Sequence, residues 1–172
     1  MYGAEINTFY FKDDGSIPNN PTLPVLVYRG VLRDNPAQAE RIFNQNGWLN
    51  SWTNGVFGYH HYHSITHEVL GVAGGTAILQ LGGENGRRVE LRAGDVVVLP
   101  AGTGHQKISS SPDFSVVGAY PDGMDYNMCT GKPDERPRVL EEIRHVPLPR
   151  TDPLFGASGP LKDAWKPVKE GW

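Results

Sequence analysis

From Trp48 to Tyr120 the chain is cut into short apolar runs, EVLGV, TAILQL, RRVEL, DVVVLP and FSVVGAY, separated by GG, ENG, AGD and SSSPD. Runs of this length, rich in β-branched residues and bounded by Gly, Asn, Asp and Ser, read as strands, and their regular spacing points to a sandwich or barrel. The 21 glycines and 14 prolines among 172 residues suit short strands joined by turns and argue against a helical bundle. ENGRR is a hairpin candidate, because Asn85 and Gly86 tolerate the positive φ of tight hairpin turns.

The flanks differ in character. SIPNNPTLP is punctuated by prolines whose fixed φ suits extended structure along the barrel wall, and LPVLVYRGVL reads as an edge strand. Residues 34–46 (DNPAQAERIFNQN) carry helix signals: Asp34 or Asn35 as cap, Pro36 near the first helical position, and Gly47 as a stop. Ala39, Ile42 and Phe43 then share a face that could pack on the barrel. Residues 121–172 hold eight of the 14 prolines; a short helix is expected at about 137–145, followed by an irregular arm anchored by Val146, Leu148, Leu154, Phe155 and Trp165. The length fits one domain over 1–172, with a barrel core at about 48–120, an edge segment and helix at 1–47, and the arm at 121–172.

Charge and apolar patterning remove several classes of function. A formal net charge of -3 with scattered basic residues gives no footprint for nucleic acid or an anionic membrane surface. Apolar runs stay well short of the roughly 18–20 residues that cross a bilayer. The lone cysteine, Cys129, has no internal disulfide partner, and the start MYGAEINTFYFKDDG lacks a secretory signal, so the cytoplasm is the expected compartment.

Four of the six histidines fall within YHHYHSITHE. On an extended segment the side chains of His61 and His63 point one way, and those of His60 and Tyr62 the other. Glu68 follows after a step that can turn the chain into the next strand, where Leu70 and Val72 share its face. Further on, GDVVVLPAGTGH ends in His105, and Gly102 and Gly104 let the backbone curl so that this histidine points back inward. His67 is the alternative to Glu68, since a bulge between His63 and Glu68 would exchange the two faces. Tyr59, Lys107, Tyr120 and Tyr126 are candidates for the pocket lining. Trp48, Trp52, Phe57, Phe114 and Trp165 read as core or interface packing, Asp95 as a turn residue, Asp13, Asp14, Glu141 and Glu142 as solvated surface, and His60 and His145 as surface or hydrogen-bonded residues.

Gly55, His61, His63, Glu68 and Gly75, separated by five, one, four and six residues, resemble the first motif of the cupin superfamily; Gly94, Pro100, Gly102 and His105, separated by five, one and two, resemble the second. Ser109 stands where the family usually has an asparagine, a position more often structural than ligating. FYFKDDGSIPNNPTLP, HHYHSITHEVLG, LQLGGENG, DVVVLPAGTGH and VVGAYPDGMDYN resemble the YjlB-like group of bacterial cupins over nearly the whole chain. The resemblance implies an all-β jelly-roll barrel, usually a homodimer, with one divalent metal ion held by three histidines and a carboxylate. Such ligands suit Mn, Fe, Co, Ni, Cu and Zn alike. Two classes of function follow: a metal-dependent dioxygenase, decarboxylase or isomerase acting on a small oxygen-rich or cyclic molecule, or a module that binds or senses a small molecule with the metal in a supporting role.

Overall fold

The computed structural model describes residues 4–167. In chain order it comprises β1 (Glu5–Phe9), β2 (Val25–Arg29), α1 (Ala39–Gln45), β3 (Trp48–Asn54), β4 (Glu68–Gly74), β5 (Thr76–Leu81), β6 (Arg87–Arg92), β7 (Val96–Leu99), β8 (His105–Ser110), β9 (Ser115–Pro121), α2 (Arg138–His145) and α3 (Pro160–Ala164). The strands form two antiparallel sheets, one ordered β1-β2-β7-β4-β9-β3 and the other β6-β5-β8. This is an all-β jelly-roll arrangement with short accessory helices.

Strict alternation builds the core between the sheets. Leu70 and Val72 of β4, Val97 and Leu99 of β7, and Val25 and Val27 of β2 face Ala77, Leu79 and Leu81 of β5 and Val89 and Leu91 of β6 in one buried cluster. Each such side chain contributes roughly 1.5–3 kcal/mol on full burial. The opposite face of the large sheet is also covered: Leu26, Tyr28, Val69, Val96 and Val98 pack with Ala39, Ile42 and Phe43 of α1 and with Leu154, Leu161 and Trp165 of the C-terminal arm. Gly71 makes the approach of α1 possible, because a Cβ there would lie 2.8 Å from the Phe43 ring and 3.0 Å from the Ala39 Cβ.

Three local expectations change. LPVLVYRGVL does not supply an edge: β2 is paired on both sides, by β1 and β7, and the opening segment provides the edge strand β1. The β5–β6 connection takes its positive φ at Gly82 (84°) and Gly83 (87°), not at Asn85 and Gly86, so the loop runs over five residues and the Gly pair carries the bend. The 34–46 helix opens as a 3-10 turn at Pro36–Gln38 with Asn35 in the cap position making no side-chain cap bond.

Candidate metal centre

One end of the two sheets gathers the starts of β4 and β8 and the end of β9. Here the loop before β4 is stitched down on both sides. His61 N–H donates to the His105 carbonyl (3.2 Å) and His105 N–H to the His61 carbonyl (2.9 Å), while Tyr62 and Cys129 exchange a second pair (2.9 and 3.0 Å). The segment is therefore extended, and alternation sends His61 and His63 into the space between the sheets and the Tyr62 hydroxyl outward to Glu135 at 2.7 Å. Gly102 (φ 91°) turns the chain ahead of His105, and its N–H donates to the His63 carbonyl at 2.7 Å. Gly104 is required for space, since a Cβ would lie 2.6 Å from Ile17.

The result is a cavity of about 380 Å³ whose walls include His61, His63, Glu68, His105, Tyr120 and Tyr126. The ligand-capable atoms of His63, Glu68 and His105 lie within 4.8 Å of one another, and all three residues are buried. His61 borders this group, its ring centroid 4.0 Å from that of His105 and 6.0 Å from that of His63. Each imidazole is fixed through Nδ1 by a carbonyl: His61 by Tyr59 (3.0 Å), His105 by Thr103 (3.0 Å) and His63 by Asn127. A carbonyl can only accept, so Nδ1 carries the proton, and in the neutral ring Nε2 presents a lone pair. Histidines that ligate a metal are commonly oriented in this way.

Glu68 makes the geometry unusual for a pure packing arrangement. Its Oε1 is buried without a hydrogen-bond partner and lies 3.4 Å from His63 Nε2 and 3.5 Å from His105 Nε2. Those separations are long for hydrogen bonds. They are close to the spacing of donor atoms that share one ion, which at ~2.1 Å from it sit roughly 3.0–3.4 Å apart. Burial alone would raise the Glu68 pKa, but His63 and His105 outweigh it and hold the carboxyl well below the usual range. Burial opposes a charge on His63, yet the Glu68 carboxylate raises its pKa on balance. His61 is pushed down to about 3 by burial and by its neighbours His105 and His63, which keeps it neutral with its lone pair free. The donor set thus fits a divalent ion.

The other expected residues divide. His67 is turned to the opposite side: Nδ1 accepts from Ala101 N–H (2.9 Å), Nε2 donates to the Pro147 carbonyl (3.2 Å), and the ring stands edge-on to Trp165 at 4.8 Å. Burial drives its pKa down to about 4, and both nitrogens are spent on holding the arm against the second motif. Tyr120 and Tyr126 line the cavity, stacked on each other at 4.9 Å, whereas Lys107 contributes only a backbone N–H to the Phe57 carbonyl, and Tyr59 packs on Phe57 at the rim. Trp52 packs against the core between the sheets, as expected, and together with Phe57 also forms part of the cavity wall. A register shift in β3 lies between Leu49 and Trp52, where Asn50 takes a positive φ (58°), a conformation asparagine tolerates. His60 is partly buried with both ring nitrogens lacking hydrogen-bond partners, and His145 is exposed with Nδ1 on the Glu141 carbonyl (2.7 Å).

Residues 52–116 match the Cupin domain family. The chain is 51% identical over 161 residues to Uncharacterized protein YjlB of Bacillus subtilis (strain 168), covering 94% of this chain and 97% of that one. The chain belongs to the YjlB-like cupins. Among solved structures, this cupin is similar to vicilin from Solanum lycopersicum (TM-score 0.39, 18% identity, 70% of this chain and 33% of that chain). It spans about a third of that vicilin. It is also similar to acireductone dioxygenase from Bacillus anthracis with a cadmium ion in its active centre (TM-score 0.35, 18% identity, 58% and 61% covered). No helix among the described residues of this cupin is long and apolar enough to cross a membrane.

Proposed function

We propose that this cupin holds one divalent transition-metal ion with His61, His63, Glu68 and His105 and is a metal-dependent enzyme acting on a small oxygen-donor molecule. The observation that supports this is the buried, unpartnered Glu68 Oε1 facing imidazoles already fixed through Nδ1. The ion would act as a Lewis acid on bound oxygen atoms or, if redox-active, activate dioxygen in a dioxygenase, while a decarboxylase or isomerase needs only the first role. The protein's own groups orient and protect. The Tyr120 hydroxyl accepts from Trp52 Nε1 at 2.8 Å, which leaves its proton directed elsewhere, and burial and the Glu68 charge raise its pKa. It is held as a neutral donor at the cavity wall.

The binding or sensing reading keeps one observation on its side: apart from the four proposed ligands, Tyr120 and Tyr126 are the titratable side chains of the lining. Cobalt(II)-loaded protein separates the two readings in stages. Visible bands of protein-bound cobalt that shift on adding azide are expected, since an enzyme needs an exchangeable position. Bands indifferent to azide would reduce the ion to a staple, and absence of bands would remove the metal altogether.

We further infer a cytoplasmic homodimer. The edges of the large sheet, β1 and β3, are unpaired among the described residues, and Cys129 is buried as a free thiol. Light scattering at micromolar concentration is expected to give twice the chain mass; the mass of one chain would exclude the dimer.

A further inference from the structure

The cavity has a sharp division of character. Its inner end carries the imidazoles and Glu68; its remaining walls include Trp52, Val56, Phe57, Leu70, Tyr126 and Met128. Aromatic surface starts immediately outside the proposed ligands: Phe57 stands edge-on to His61 at 5.3 Å and Tyr126 edge-on to His63 at 5.4 Å. These walls are built in advance. Trp52 lies on the backbone of Gly118, where a Cβ would come within 2.3 Å of the indole, and its Nε1 is tied to Tyr120. Tyr126 stacks on Tyr120 with 17° between the rings, and Phe57 on Tyr59 at 5.0 Å with 15°. Phe57, Tyr126 and Met128 remain 50%, 48% and 44% exposed, an apolar surface at the mouth with no protein covering.

Charge narrows the occupant further. Among the described residues, no Lys or Arg lines the cavity, and Glu68 is the one acidic residue of the lining. A divalent ion with Glu68 leaves one positive charge, so a second negative charge on the occupant would be enclosed unpaired at high cost. Of the polar groups on the walls, Asn54 Oδ1 is engaged by Gly55 N–H and the Tyr120 oxygen by Trp52, while the lining also carries the Thr53 and Tyr126 hydroxyls and the Tyr120 proton.

Resting on the metal reading above, we infer that the occupant is a planar molecule with oxygen donors at one end, an apolar ring-like body, and at most one negative charge. Polycarboxylates and phosphate esters are disfavoured by the same charge balance.

Calorimetric titration of the zinc-loaded full chain with two chelators tests this. Tropolone has one negative charge and a planar seven-membered ring; oxalate has two negative charges and no body. Each affinity is referred to that chelator's affinity for aqueous zinc, and zinc content is measured after titration. Tropolone is expected to gain at least about tenfold more from the protein than oxalate does, the combined scale of two aromatic contacts. Tyr126→Ala and Phe57→Ala, both at half-exposed positions, should each weaken tropolone roughly fivefold while oxalate and zinc content stay as in the wild type. An equal or greater gain for oxalate, or variants that bind tropolone like the wild type, overturns the inference and leaves the metal site standing. Wild type that takes up no zinc overturns the metal reading and this inference with it.

Discussion

His105→Ala protein, purified without added metal, is expected to carry less than roughly a tenth of an ion per chain, against close to one in the wild type, by elemental analysis. His105 belongs to the buried triad, and its removal leaves Glu68 Oε1 with His63 as its one remaining neighbour in that group. His63→Ala should behave alike. His67→Ala is the informative control: its ring nitrogens are occupied by Ala101 and Pro147, so it should keep its metal and lose stability instead. Metal retained in His105→Ala, or lost in His67→Ala with the fold intact, would contradict the proposed ligand set.

Asp152→Ala is expected to lower unfolding free energy by about 4 kcal/mol and Tm by roughly 8–16 °C. Asp152 is fully buried and binds four donors: Leu154 N–H (2.8 Å) and Phe155 N–H (3.1 Å) on Oδ1, the Tyr28 hydroxyl (2.7 Å) and Leu161 N–H (3.0 Å) on Oδ2. Alanine takes the acceptor away from these donors, three of which (Tyr28 hydroxyl, Leu154 N–H and Leu161 N–H) lie in buried hydrogen bonds, and frees the arm that covers the outer face of the large sheet. Tyr28→Phe removes one donor and keeps the carboxylate otherwise satisfied, so about 1 kcal/mol is expected there. Urea unfolding measures both; an Asp152→Ala loss under 1 kcal/mol would show that the arm is dispensable.

The strands and the motif histidines were legible for a local reason. Period-two alternation and glycine-bounded runs are properties of adjacent residues, and β4, β5, β6, β7 and β9 fall where EVLGV, TAILQL, RRVEL, DVVVLP and FSVVGAY place them. The same parity sends His61 and His63 into the cavity and Tyr62 away from it. The hairpin turn was misplaced because a Gly–Gly and an Asn–Gly pair compete in LQLGGENG, and the chain bends at Gly82 and Gly83. LPVLVYRGVL read as an edge because strand order depends on partners distant in sequence, here Glu5–Phe9 and Val96–Leu99.

Trp52 and Phe57 show the remaining gap. As large apolar residues near a strand they read as packing, which holds for Trp52 against the core between the sheets; its second role as a cavity wall depends on a register shift in β3 and the bare backbone of Gly118. His67 and Glu68 are neighbours of equal ligating power on paper, and the bend at Ser64 and Ile65, with Ala101 and Pro147 waiting on the far side, sends them in opposite directions. Spacing and alternation along the chain were sufficient to place β4, β5, β6, β7 and β9 and to send His61 and His63 to one side, since both are set by covalent geometry over a few residues, whereas β3 and β8 carry no such apolar run. Which donor faces which, what walls surround them and what charge is missing from those walls arose only when segments more than a hundred residues apart in some pairs, such as Tyr28 and Asp152, were brought into contact, because burial and pairing are properties of the assembled chain.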